Sequence, residues 1–377
     1  MSVNKIDAKI GTLCLSDGFG GLELYAYVTF KKLYEMNNNS IIIIRKHSFL
    51  ENKLKQANLP YIGIGKVSRY LPLLSAFKLK KLLENNHINV LHIHWAKDVV
   101  LAVFTKLIYK NRLKIAYTRQ MEIYGDKHDQ YHKFIYGKID LLLMITDKLV
   151  QQAIRLLPIQ KERIKLLYYG TPNYTPSEST VTDSIRKKFN IGKSDFLVGV
   201  VGRIEHAKGQ HLLVEAIDSM HRSNVLAHAI IVGNAQDKEY LVKLKNRVAH
   251  AGLGPYIHFL EFTDHPKDVM RECDAIVLTT YTETFGLVLI EAMSTGTAVI
   301  GTNSGGVPEI ISDKETGLLF EPGNSQELAN CLIELFRDPI LRQNLARNGK
   351  KLAHNKFSES RHYEKLFGLL QEMVDNA

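Results

Sequence analysis

The chain is poor in the residues that staple a fold or cross a membrane. Of its 377 residues, 3 are cysteine and 1 is tryptophan. Cys14, Cys273 and Cys331 lie far apart in apolar surroundings. None belongs to a CxxC or Cys/His spacing that would suggest zinc or a redox pair, so they read as reduced core residues. No apolar run approaches the roughly 18 residues of a membrane span, and the first residues lack a signal-peptide pattern. The expected location is therefore the cytoplasm. A Walker loop ending in GK[ST] is missing, as is an ordered GxGxxG fingerprint. No aromatic RNA-binding motif appears, which argues against nucleic acid as a partner.

What is present is an ordinary globular composition, 45% hydrophobic and 23% charged, in a chain long enough for two domains. The charge is divided unevenly. Residues 1–190 hold 30 Lys and Arg against 15 Asp and Glu, and the remainder holds 19 against 24. A basic half beside a mildly acidic one points to a polyanion or an anionic membrane facing the first half only. Short β-rich runs alternate with helix-length segments, at 10–15, 40–44, 90–94, 115–118, 141–145 and 164–167. They resume at 196–201, 229–232, 257–260, 275–278 and 298–301. That rhythm predicts an α/β protein with parallel sheets covered on both faces. The polar, Pro-rich stretch from Thr171 to Ser177 interrupts it and reads as a linker. Two doubly wound domains are expected, 1–170 and 193–356, joined by 171–192 and followed by a C-terminal helix at 357–377. Ligands of such domains bind at the strands' C-terminal ends, in a cleft where the two domains face each other.

The central stretch is Tyr281-Thr282-Glu283-Thr284-Phe285-Gly286-Leu287-Val288-Leu289-Ile290-Glu291. It follows an apolar strand and enters an almost wholly apolar helix, where Glu291 is an expensive residue unless paired. Eight helical residues span roughly 12 Å, so Glu283 and Glu291 are spaced to grip both ends of a sugar–nucleotide beside an anion-favouring helix N-terminus. The alternative is a satisfied buried Glu291 with Glu283 as a solvated loop acid. Other candidates lie after other strands. Gly20-Gly21 follows the first one; Gly202-Arg203 with Lys208-Gly209 offers a fork and a point charge for a diphosphate; Gly305-Gly306 precedes Pro308 at a helix start. In the first half, His94 ends a strand and Arg119, Lys127, Asp129 and His132 crowd one loop, suiting a polyhydroxylated or phosphorylated ligand. The basic–apolar segment Lys66–Leu83, which includes Arg69, suits an anionic membrane surface or an ordinary amphipathic helix.

Taken in order, these motifs resemble the retaining glycosyltransferases of family 4, over nearly the whole chain. The strongest parts are Gly202-Arg203 with Lys208-Gly209, the Glu283–Glu291 segment with Phe285-Gly286, and Gly305-Gly306-Val307-Pro308-Glu309; Gly20-Gly21 with Glu23 and His92-Ile93-His94 are similar to first-domain motifs. The resemblance implies the GT-B fold, two Rossmann-like domains with the acceptor on the first and a nucleotide-sugar on the second. It implies that Arg203 and Lys208 hold the diphosphate and aid its departure, that Glu283 meets the donor sugar and Glu291 the ribose. Gly202, Thr284, Phe285, Gly286, Leu287, Gly305 and Gly306 would line the donor, with Gly20 and Gly21 closing over its phosphates. No metal or other cofactor is implied, and no DxD motif is present. A departure from the family is Arg119 where a His is common, which suggests an altered acceptor or sugar contact. The expected function is transfer of a hexose from a nucleoside-diphosphate-sugar to a lipid-linked or phosphorylated glycan, as in lipopolysaccharide, O-antigen or capsule synthesis, at the inner membrane face. The rival readings are transfer to a soluble acceptor, or nucleotide-sugar binding without catalysis.

Overall fold

The computed structural model describes residues 9–18, 20–37, 40–67, 72–109, 112–176 and 184–375. The chain forms two compact units, Met1–Tyr168 with His362–Ala377, and Tyr169–Arg361. The first is a parallel sheet of seven strands: β1 (Ile10–Cys14), β2 (Ile41–Arg45), β3 (Tyr61–Ile64), β4 (Val90–Ile93), β5 (Lys114–Arg119), β6 (Leu141–Met144) and β7 (Ile164–Leu166). Their order is β3-β2-β1-β4-β5-β6-β7. The helices between them are α1 (Gly21–Asn37), α2 (Phe49–Gln56), α3 (Leu73–Asn85), α4 (Val99–Ile108), α5 (Gln130–Tyr136) and α6 (Asp147–Leu156). The order reverses beside β1, so the loops after β1 and β4 splay apart at the strands' C-terminal ends, where such sheets bind ligands.

The second unit carries β8 (Phe196–Val201), β9 (Ala227–Val232), β10 (Ile257–Leu260), β11 (Ala275–Leu278), β12 (Ala298–Thr302) and β13 (Leu318–Phe320). These run parallel in the order β10-β9-β8-β11-β12-β13. Around them lie α7 (Ile185–Lys188), α8 (Gln210–Arg222), α9 (Lys238–His250), α10 (Pro266–Glu272), α11 (Leu287–Thr295), α12 (Ser325–Arg337) and α13 (Pro339–Lys356). The central strands are continuous apolar runs because both faces are covered: every residue of β1, β4, β6, β11 and β12 is buried. The final helix, α14 (Glu359–Asp375), begins in the second unit and continues into the first. There Tyr363, Leu366, Phe367 and Leu370 join a core with Ile10, Leu33, Val90 and Leu143.

Two differences from the sequence reading have physical causes. β3 and β13 were not anticipated, because both are short edge strands; all four residues of β3 are only half-buried. The polar stretch expected as a linker starts inside the second unit, where Thr171 pairs with Ser358 and donates its amide to Phe357 at 2.8 Å. Arg69 lies outside the described residues, but α3 is amphipathic: Ala76, Leu79 and Leu83 are buried, while Leu74 is 81% and Phe77 57% exposed.

Candidate active site

The loops at the C-terminal ends of β8, β11 and β12 are locked together by glycines and one ion pair. Leaving β8, the chain passes Gly202 and Arg203 and turns through His206–Lys208 to Gly209, whose φ of 67° caps α8. A Cβ at Gly209 would stand 2.3 Å from the Thr279 carbonyl oxygen. Thr279 in turn donates its hydroxyl to the Lys208 carbonyl at 2.7 Å. Lys208 Nζ then lies 2.9 Å from Glu283 Oε2. Behind Glu283, Gly305 (φ 64°) approaches so closely that a Cβ would stand 1.8 Å from the Glu283 carbonyl oxygen. The Gly306 amide donates to that same oxygen at 2.8 Å. Only glycine permits this approach. The sequence reading assigned the Gly305 and Gly306 amides to a ligand; the Gly306 amide is instead committed to the loop that carries Glu283.

Gly286, with φ 104°, is the N-cap of α11. The adjacent residues divide as the helix turns: Phe285, Leu289 and Ile290 are buried, while Leu287 is 41% exposed beside the free amides of the first turn. Thr284 is half-buried on the same loop. Arg203 is exposed and paired with Glu205 at 3.0 Å, and its carbonyl accepts from Gln210 Nε2 at 2.8 Å. The donor expectations thus fall on one rim of the second unit: Arg203, Lys208, Glu283 and the start of α11.

Glu291, one turn into α11, is half-buried. Burial lifts its carboxyl to about 7, against the pull of the Lys267 ammonium. Lys267, on α10, is itself lowered by burial and donates to Thr171 Oγ1 and the Pro172 carbonyl, both at 2.7 Å. Sequence reasoning missed Lys267 because the pairing runs between two helices. It also missed an aromatic stack beside Lys208. The His206 ring lies 9° from parallel to Tyr281, and His211 Nε2 is 3.1 Å from the Tyr281 hydroxyl.

In the first unit, Gly20 and Gly21 open α1, but the hollow of their turn holds a carboxylate. Glu23 folds back to accept from the Ser16 hydroxyl, and a Cβ at Gly18 would stand 2.7 Å from its Oε1. His94 is 1% exposed; neither ring nitrogen has a hydrogen-bond partner among the described residues. Its ring centroid lies 4.2 Å from that of His92, the two planes tilted by 49°, and His92 Nε2 is 2.7 Å from Thr118 Oγ1. Burial holds both imidazoles neutral, His92 down to about 3. The remaining acceptor candidates separate. Arg119 donates to the carbonyls of Met121 at 3.0 Å and Glu122 at 2.8 Å, so its guanidinium holds its own loop. Asp129 caps α5 and pairs with His132. Lys127 and His132 line a cavity of about 340 Å³, with Lys97, Tyr131 and Tyr136.

Among the described residues, no group of three or more His, Cys, Asp or Glu could hold a metal ion, and no helix is long and apolar enough to cross a membrane. Residues 181–352 match the family described as glycosyl transferases group 1. The chain is 24% identical over 361 residues to the N-acetyl-alpha-D-glucosaminyl L-malate synthase of Bacillus anthracis, covering 93% of each. Its fold is similar to that of Anabaena Alr3699/HepE in complex with UDP, with a TM-score of 0.84, 23% identity, and 97% and 100% of the two chains covered. The Anabaena protein has also been solved with UDP-glucose. A glycosyltransferase from Rickettsia africae is similar at a TM-score of 0.87 and 19% identity, with 99% and 100% covered. Two Rossmann-like domains of this kind define the GT-B fold. The chain is a glycosyltransferase of this fold, and its residues 181–352 match group 1.

The Glu291 environment has a measurable consequence. The folded unit holds that proton more tightly than the unfolded chain, where the carboxyl titrates near 4.5. Stability therefore falls as pH rises from about 4.5 to 7 and levels off above. Glu291→Gln removes this fall, so denaturant unfolding at pH 5 and pH 8 should differ less in the variant than in the wild type. An equal difference in both proteins contradicts the assignment.

Proposed function

We propose that the protein transfers a hexose from a nucleoside-diphosphate-sugar to an anionic acceptor, with retention of anomeric configuration and without a metal. The observation that carries this is the Lys208–Glu283 pair at 2.9 Å, set beside Arg203 and the open N-terminus of α11. Glycosyl transfer breaks the bond between the sugar's anomeric carbon and the phosphate oxygen, and the electron pair leaves with the diphosphate. The acceptor oxygen bonds to that carbon, and its proton passes to the departing phosphate. The steep requirement is charge neutralisation at the leaving group together with support for a carbon that becomes cationic. Lys208 and Arg203 supply the first; Glu283, held at its carbonyl by Gly306, supplies the second from the sugar side. Glu291 accepts from the ribose hydroxyls. The Anabaena complexes with UDP and UDP-glucose favour uridine as the base.

The acceptor is a lipid-linked or phosphorylated glycan of the kind used in lipopolysaccharide, O-antigen or capsule assembly, met at an anionic membrane face. The basic excess of residues 1–190 and the exposed Leu73, Leu74 and Phe77 on α3, beside exposed Lys78 and Lys81, support this reading: apolar groups enter the headgroup region while the ammonium groups meet anionic lipid. A second reading, transfer to a small soluble acid, is favoured by the cavity that Lys97, Lys127 and His132 line and by the L-malate in the name of the Bacillus anthracis relative.

Turnover and binding separate the roles at the donor end. Lys208→Ala should lower kcat/KM by roughly 10² or more and weaken nucleotide binding, because it removes a cation from the leaving group. Glu283→Gln should lower kcat while nucleotide affinity, read by calorimetry, changes little. Unchanged turnover in both variants rejects the site. For the membrane, sedimentation with anionic vesicles should retain the wild type and lose a Leu74→Ser/Phe77→Ser variant; equal retention on neutral and anionic vesicles excludes the electrostatic part of the reading.

A further inference from the structure

α13 presents Arg347, Lys350, Lys351 and His354 at i, i+3, i+4 and i+7, a spacing that puts all four on one face. Like charges one turn apart repel and destabilise a helix unless something of opposite sign sits against them. The described residues offer no such carboxylate: Lys350 and Lys351 are in none of the described ion pairs or side-chain hydrogen bonds, and Arg347 donates only to the amide oxygen of Asn344, at 2.7 Å. These four side chains line a cavity of about 360 Å³ together with Asn173, Tyr174 and Ser294. No acidic residue is among its described lining residues. The polar groups facing the cations are neutral, and Asn173 is already placed by His354 Nδ1, 3.3 Å from its Oδ1.

The cavity is remote from the donor rim. Ser294 lies in the last turn of α11, eight residues past Gly286, about 12 Å along the helix. It therefore opens towards the other end of α11 from Lys208 and Glu283. Nor is it isolated from them. Gly349 of α13 packs against Met293 of α11, where a Cβ would stand 3.1 Å from Met293 Cγ. Thr171, another lining residue, accepts from Lys267, the cation facing Glu291.

We propose that this cavity is a second binding site of the enzyme, for a phosphate or diphosphate group. Three cations without acids select a multiply charged oxyanion over a neutral ligand, and the Arg347 fork with two lysines matches the oxygens of a phosphoryl group. The volume admits a free phosphorylated metabolite, and the exposure of Lys350 and Lys351 also admits the headgroup of an anionic lipid.

Calorimetry with inorganic pyrophosphate distinguishes this site from the donor rim. Pyrophosphate should bind both the wild type and Lys208→Ala. In Lys350→Ser/Lys351→Ser its affinity should fall by roughly tenfold or more, since each charge-assisted bond contributes one to a few kcal/mol. Both lysines are exposed, and nucleotide affinity of the double variant, measured alongside, should stay within about twofold of wild type. If soluble pyrophosphate does not bind but phosphatidic acid vesicles retain the protein only when both lysines are present, the site stands with a lipid as its source. Pyrophosphate binding that is lost in Lys208→Ala and kept in the double variant overturns the proposal. So does the failure of both pyrophosphate and vesicles to bind.

Discussion

The second unit depends on how closely two backbones approach Glu283. Gly305 presses on its carbonyl oxygen, leaving no room for a Cβ, the Gly306 amide donates to that oxygen, and Lys208 holds its carboxylate. Lys208 is itself fixed, because Gly209 packs on the Thr279 carbonyl and Thr279 bonds back to Lys208. Three loops from three strands are thus tied at one acid. A long, flexible lysine would otherwise lose about 2 kcal/mol of rotamer freedom on each binding event; here it is ordered before the substrate arrives. Such preorganisation is the main source of electrostatic catalysis.

Charge one turn into α11 is arranged differently. Glu291 is held among apolar neighbours with one facing cation, Lys267, which is also engaged by Thr171 and Pro172. The carboxyl is therefore poised near neutrality and is easily moved by a ligand's hydroxyl donors. Glu283 and Glu291, which look alike on paper, do different work: one is tied to a neighbouring cation, the other is kept partly short of one.

The central strands were legible because burial on both faces writes a continuous apolar run, as in Phe196–Val201 and Ala275–Leu278. The edge strands β3 and β13 were not, since runs of only three or four residues carry no such signal. The glycine motifs lie in the loops after β8 and β12, where Gly305 admits the Glu283 backbone and Gly306 bonds it. Arg119 and Asp129 stood out as polar residues in a functional place, and the structure engages both within their own loop, by carbonyl contacts and a helix cap. His94 stood at the end of a strand, where its sequence context could not reveal an almost complete burial. The cations of α13 were not singled out in the sequence, because Asn173 and Tyr174, which line the cavity with them, lie far away along the chain.

The most direct measurement of the donor-site account is a thermal-shift panel of nucleoside diphosphates and their sugars, since a ligand that binds only the folded state raises its stability. The account predicts a shift selective for one base, with uridine first, that is lost in Lys208→Ala. A shift of equal size in that variant, or none with any nucleotide, would contradict it.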